Sequence, residues 1–113
     1  MHEMSLAESV RSIIEDAAEA NGFTRVRRVI LEIGELAAVE VDALRFCLDV
    51  VLQDTPAAGA AVVVERVAGA GWCPVCAKTV PMHGRYDACP HCGDYQLKVT
   101  AGEELRVKAL DVA

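Results

Sequence analysis

Two Cys-x-x-Cys pairs, Cys73-Pro-Val-Cys76 and Cys89-Pro-His-Cys92-Gly93, separated by twelve residues, constrain this chain more than any other feature. Two residues between cysteines let one tight turn present both sulfurs to a single ion, and a tetrahedral Zn²⁺ takes four thiolates at about 2.3 Å. Gly93 relieves the second turn, and residues 77–88 form the arm that brings the two knuckles face to face. Thiolates prefer zinc to harder cations, and four of them close the shell, leaving no open position for chemistry. Structural zinc binds small peptides with roughly 10–16 kcal/mol, enough to fold a module that has almost no apolar core. The reading is a structural zinc site. Rubredoxin-type iron uses similar knuckles, and the ligands alone do not separate the two. A thioredoxin-like redox pair needs one such motif at a helix N-terminus, not two facing knuckles.

The rest of the chain alternates helical and extended patterns. Residues 5–21 read as an amphipathic helix, with Leu6, Val10, Ile13, Ile14, Ala17 and Ala18 recurring every three or four positions. Ser5 and Glu8 fit a capping box, Asn21-Gly22 supplies the C-terminal stop, and residues 1–4 form a short arm before the first turn. Residues 25–34 read as a strand, about 40–53 as a second helix with a stripe of Val41, Leu44, Cys47, Leu48, Val51 and Leu52, and 61–67 as a strand. Cys47 in that stripe reads as a buried, inert core cysteine.

Ala68-Gly69-Ala70-Gly71 reads as a flexible joint, residues 72–98 carry no helical period, and 104–112 is again a strand, with a bulge expected at Ala109-Leu110. A strand after the cysteine module returns the chain to the first body, so the module is an insertion. The expected fold is α+β: a small sheet with two helices (residues 1–69 and 101–113) plus an inserted four-cysteine zinc ribbon (residues 70–100).

Composition narrows the partners. Of the 113 residues 53% are hydrophobic but only 4% aromatic, so the core is built from Val, Leu, Ile and Ala. A net charge of −6 argues against nucleic acid: the longest basic cluster is Arg25, Arg27 and Arg28, and the cysteine module carries few basic residues while four thiolates around Zn²⁺ add a net −2. An acidic surface suits a basic partner or a captured cation. The N-terminus shows no secretory leader, no apolar run is long enough to span a membrane, and cysteines used as ligands suit a reducing cytoplasm. The expected location is therefore cytoplasmic.

Met1-His2-Glu3 is weakly informative as a pattern. Its chemistry is more suggestive. A free α-amine, a deprotonated amide and an imidazole enclose a divalent late transition metal in fused chelate rings, and nitrogen donors in a tetragonal arrangement suit Ni²⁺ or Cu²⁺. A bulky second residue also argues that the initiator methionine is retained, keeping His2 at position two.

Met1-His2-Glu3 opening an amphipathic helix, then Leu31-Glu32-Ile33-Gly34-Glu35-Leu36, then Glu40 and Leu44-Arg45-Phe46-Cys47-Leu48, then the two knuckles and a terminal strand, resembles the HypA/HybF family of hydrogenase nickel-incorporation proteins from end to end. The resemblance implies a nickel-binding domain with a zinc-ribbon insertion. It makes His2 the key nickel ligand, with backbone nitrogens of the His2-Glu3 segment contributing, and Cys73, Cys76, Cys89 and Cys92 the zinc ligands. It implies transient Ni²⁺ and resident Zn²⁺, with the accessory GTPase HypB and the [NiFe]-hydrogenase large subunit as partners and, in some organisms, urease maturation. Glu40 is a candidate accessory ligand, although an acid there also favours the helix dipole. His83 and His91 read as surface or supporting residues, since four sulfurs already fill a zinc shell; a pH-sensing role for either is a further expectation. A homodimer can form by exchange of the terminal strand. A plain zinc-ribbon adaptor has no use for His2, and no open metal position or nucleophile–base pair marks the chain as an enzyme.

Overall fold

Apolar spacing and favourable ends account for the helices in the computed structural model, which describes residues 3–113. Helix α1 runs Glu3–Asn21 and buries Ala7, Val10 and Ile14. It begins two residues earlier than the capping box suggested. Ser5 is therefore inside the helix, where its carbonyl accepts from the Ser9 hydroxyl at 3.0 Å instead of its hydroxyl capping the end. Glu3 in the first turn meets the positive end of the helix dipole, and Glu3 and Met4 are good helix formers, so the helix extends past Ser5. Glu3 and Met4, read as part of a four-residue arm, are thus helical, and His2 lies outside the described residues. The C-terminal stop is as expected: Gly22, at φ +75°, donates its N–H to the Ala18 carbonyl at 2.8 Å.

Strand β1 is Val26–Gly34, helix α2 is Val41–Val51, and strand β2 is Ala61–Val67. Glu40 caps α2 by accepting from the Asp42 N–H, and the helix buries Leu44 and Leu48. Cys47 is half-buried, not buried as its place in the stripe suggested, because it flanks that core-facing pair. Three short strands follow: β3 (Ala70–Cys73), β4 (Lys78–Pro81) and β5 (Lys98–Ala101), before β6 (Leu105–Val112). Ala70 and Gly71, read above as part of a joint, are paired in β3.

The strands form two three-stranded sheets, ordered β2-β1-β6 and β4-β3-β5. The Ala113 N–H meets the Arg25 carbonyl and the Gly34 N–H meets that of Glu104, so β1 and β6 run antiparallel. The Val26 N–H reaches Pro56 O and, at the other end, the Glu35 N–H reaches Val67 O, so β2 runs parallel to β1 across the α2 crossover.

Two compact units divide the chain. The first holds the residues up to Leu31, Val39–Val64 and Val107–Ala113. Its helices pack on each other, with the Arg11 guanidinium on the Val51 carbonyl at 3.0 Å, and Arg45 of α2 reaches Val62 O in β2 at 2.6 Å. The successive residues Arg27 and Arg28 both reach Asp111, at 3.3 and 3.0 Å. Alternation in β1 breaks at that point, with both arginines exposed between buried Val26 and Val29, as in a bulge. The Arg28 hydrogen bond, followed by the charge of Arg27, holds the Asp111 carboxyl below its ordinary range.

The second unit holds Glu32–Ala38 and Glu65–Arg106. Three glycines let its backbones approach closely. A Cβ on Gly34 would lie 1.9 Å from the Gly102 carbonyl oxygen, one on Gly102 (φ +103°) 2.6 Å from Gly69 Cα, and one on Gly69 2.1 Å from Met82 O. Gly71 likewise abuts the buried Met82 thioether. No helix among the described residues is long and apolar enough to cross a membrane.

Candidate metal centre

The ribbon positions its first knuckle through a hairpin. Strand β3 pairs antiparallel with β4 from Ala70↔Pro81 to Cys73↔Lys78, so Cys73 ends one strand and Cys76 lies in the turn to the next. Ala77, at φ +51°, completes that turn in the left-handed region. The second knuckle uses glycine at the matching place: Gly93, at φ +76°, donates to the Cys89 carbonyl at 2.9 Å, while the Cys89 N–H reaches Asp94 O at 2.8 Å. The role read for Gly93 is therefore what the structure contains. Strand β5 covers the other edge of β3, with a register shift between Ala70 and Gly71.

These turns bring the four sulfurs within 4.8 Å of one another. Cys73 Sγ lies 3.6 Å from Cys92 Sγ, and Cys76 Sγ lies 3.9 Å from Cys89 Sγ. A tetrahedron with metal–sulfur bonds of about 2.3 Å has edges of about 3.8 Å, so these two separations match the edges of a four-thiolate zinc shell. Among the described residues, these four sulfurs are the one group of three or more ligand atoms close enough to share an ion. The surrounding apolar core is minimal: Cys73, Val80 and Cys89 are buried, with Cys76 and Leu97 packed against them. A metal thus supplies cohesion that side-chain burial here does not.

Without an ion the sulfurs compete for protons. Hydrogen bonding with Cys92, then burial, pushes the Cys76 thiol up to about 12. The backbone N–H of Cys92 leads the groups that draw Cys89 down to about 6, helped by the N–H of His91. At Cys92 the Asp94 N–H pulls downward, but burial and the thiols of Cys73 and Cys89 together push the group up. A divalent cation requires all four as thiolates. Loading at pH 7 is therefore expected to release at least two protons, from Cys76 and Cys92, and affinity falls as the pH is lowered. Calorimetry in buffers of different ionisation enthalpy measures that number; release of fewer than one proton contradicts the assignment.

The two described histidines stand outside the sulfur cluster. His91 is exposed within the second knuckle. The His83 ring Nδ1 lies 3.1 Å from Glu35 Oε2, and the His83 backbone N–H donates to Asp87 Oδ2 at 2.8 Å. Glu35 is a residue to which sequence reading gave no role. Its other oxygen accepts from the Gly69 N–H at 2.8 Å, and that bond, ahead of the contact with His83, lowers its pKa. This stabilising contact is complete above the unfolded glutamate value of about 4.5 and is lost as the pH falls through the lower folded one. The one available signal was an acid directly after the glycine that ends β1.

Of the N-terminal candidates, Glu3 is described and His2 is not. The Glu40 N–H points to Glu3 Oε2 at 3.5 Å, so the start of α1 meets the cap of α2.

Two helices, small sheets and a four-cysteine ribbon define the class: an α+β protein carrying a zinc-type thiolate module. The profile of a family described as hydrogenase/urease nickel incorporation, metallochaperone, hypA, matches residues 1–112. The hydrogenase maturation factor HypA of Azoarcus sp. (strain BH72) is 66% identical over 110 residues, covering 97% of this chain and 96% of that protein. The factor of the same name from Rhodopseudomonas palustris (strain BisA53) is 56% identical over 112 residues, with 99% of each chain covered. The solution structure of the Ni metallochaperone HypA from Helicobacter pylori superposes with a TM-score of 0.65 at 23% identity, covering 99% of this chain and 97% of that one. The chain belongs to the HypA family of nickel-incorporation metallochaperones.

Proposed function

We propose that this protein carries Ni²⁺ at its N-terminus and passes it on during [NiFe]-hydrogenase maturation, while Zn²⁺ held by Cys73, Cys76, Cys89 and Cys92 serves structure alone. The supporting observation is that the family match begins at residue 1 and so includes Met1-His2-Glu3. The imidazole of His2 is the principal nickel ligand, joined by backbone nitrogens of the His2-Glu3 segment. The Glu3–Glu40 contact supports the same reading, since the Glu40 N–H holds the Glu3 carboxylate at the root of the nickel segment. The cysteine cluster and the N-terminal donors suit different ions: sulfur retains the softer, tetrahedral one, and nitrogen takes the ion that prefers a tetragonal shell.

Delivery needs a site that releases its ion. Ligands ahead of the second turn of α1 exchange without unfolding the helix behind them. The same reading takes residues 70–100 as the zinc-ribbon domain, the remainder as the nickel domain, the GTPase HypB and the hydrogenase large subunit as recipients or helpers, and the cytoplasm as the location. Urease maturation is a second destination of the same cargo.

Nickel titration of the zinc-loaded, untagged protein beside His2→Ala tests the proposal. Losing a direct ligand is expected to weaken nickel binding on the order of a hundredfold or more, since even supporting residues of metal sites contribute 10–100-fold. Equal nickel affinity in the two proteins would falsify it.

A further inference from the structure

We infer that the outer face of α2 is a docking site for a basic amphipathic segment of a protein partner, a surface separate from the residues assigned to either metal. Helical geometry sets Phe46 and Val50, four residues apart, on the side opposite buried Leu44 and Leu48. They are 71% and 51% exposed. Single exposed apolar residues are ordinary, but these two are neighbours one turn apart on the same exposed face. Asp49, which flanks this face, also lines a cleft of about 280 Å³ together with Leu48, Leu52, Gln53, Ala57 and Val62.

Charge selects the occupant. Asp42 and Asp49, at i−4 and i+3 from Phe46, are exposed, as is Asp54 beyond the helix end. The one basic residue of α2, Arg45, is half-buried and donates to the Val62 carbonyl. A second copy docking through the same face would oppose aspartate to aspartate, and an anionic membrane or nucleic acid would be repelled in the same way. A segment with an apolar stripe flanked by lysine or arginine satisfies both elements, its apolar side chains on Phe46 and Val50 and a basic one at Asp49.

The test uses the full-length, metal-loaded protein and a fluorescein-labelled synthetic helix bearing leucines at i and i+4 between lysines. Anisotropy gives the affinity, and backbone amide shifts locate the contact. The expected result is binding that perturbs residues 43–53, is about tenfold weaker in Phe46→Ser and in Asp49→Lys, and falls with salt. A version of the helix with every lysine changed to glutamate is expected not to bind. Because Phe46 is exposed, Phe46→Ser retains the fold, which its amide spectrum checks. The inference is overturned if the basic helix does not bind, if Phe46→Ser binds it as tightly as the parent, or if the parent self-associates through this face in sedimentation and Phe46→Ser does not.

Discussion

Cys73→Ser is expected to unfold the ribbon spanning β3 to β5. Cys73 is fully buried, ends β3, lies 3.6 Å from Cys92 Sγ, and belongs to a core whose other buried members are Val80 and Cys89. Four-residue strands and four buried side chains, Met82 included, remove little apolar surface from water. The chain entropy lost in ordering so small a unit is not offset by burial alone. Zinc held by four thiolates supplies cohesion that burial does not, and serine, a harder and weaker donor, forfeits much of it. The expected observation is collapse of amide dispersion for residues 70–101, both in Cys73→Ser and in the parent after exhaustive chelation, with recovery in the parent alone when zinc is restored. Retention of ribbon dispersion in metal-free parent protein contradicts this account.

Gly34→Ala is the second large effect, and it involves no metal. The new methyl would fall 1.9 Å from Gly102 O, 2.1 Å from Gly102 C and 2.8 Å from Glu103 N. All three are backbone atoms, so no rotamer change relieves the clash. The same backbone is fixed by the Gly34 N–H on Glu104 O and the Leu36 N–H on Gly102 O, both at 2.7 Å, and separating the segments breaks those bonds. A loss of about 3 kcal/mol or more is expected, a drop in melting temperature on the order of 10 °C. Gly59→Ala is the control. It has nothing within 4 Å of the added methyl and suffers only the left-handed backbone at φ +73°, which costs roughly 1–2 kcal/mol. Calorimetric melting of the two variants decides the matter; equal shifts would mean that the close backbone approach contributes nothing.

Much of this architecture was legible because its signals are local. The knuckles announced themselves by spacing, α2 by its 3.6-residue period, β2 by its valines and the end of α1 by Gly22. The start of α1 was misread because Ser5-x-x-Glu8 has the form of a capping box whether or not the helix continues before it. Strands β3, β4 and β5 are four residues each, too short for alternation to register. Ala70-Gly71 looked like a joint because small residues serve flexible linkers and tight packing alike; only the neighbouring Met82 separates the cases. Glu35 with His83 and Gly34 with Gly102 are partnerships between residues 48 and 68 positions apart, and no local pattern reports such a meeting.

Two ions sorted by donor chemistry form the centre of the proposed mechanism, and X-ray absorption at both metal edges of one zinc- and nickel-loaded sample addresses it most directly. The account predicts a zinc shell of four sulfurs at about 2.3 Å and a nickel shell of nitrogen and oxygen without sulfur, the latter disrupted in His2→Ala. Sulfur around the nickel, or nickel displacing zinc from the cysteines while the His2→Ala spectrum matches that of the parent, would contradict it.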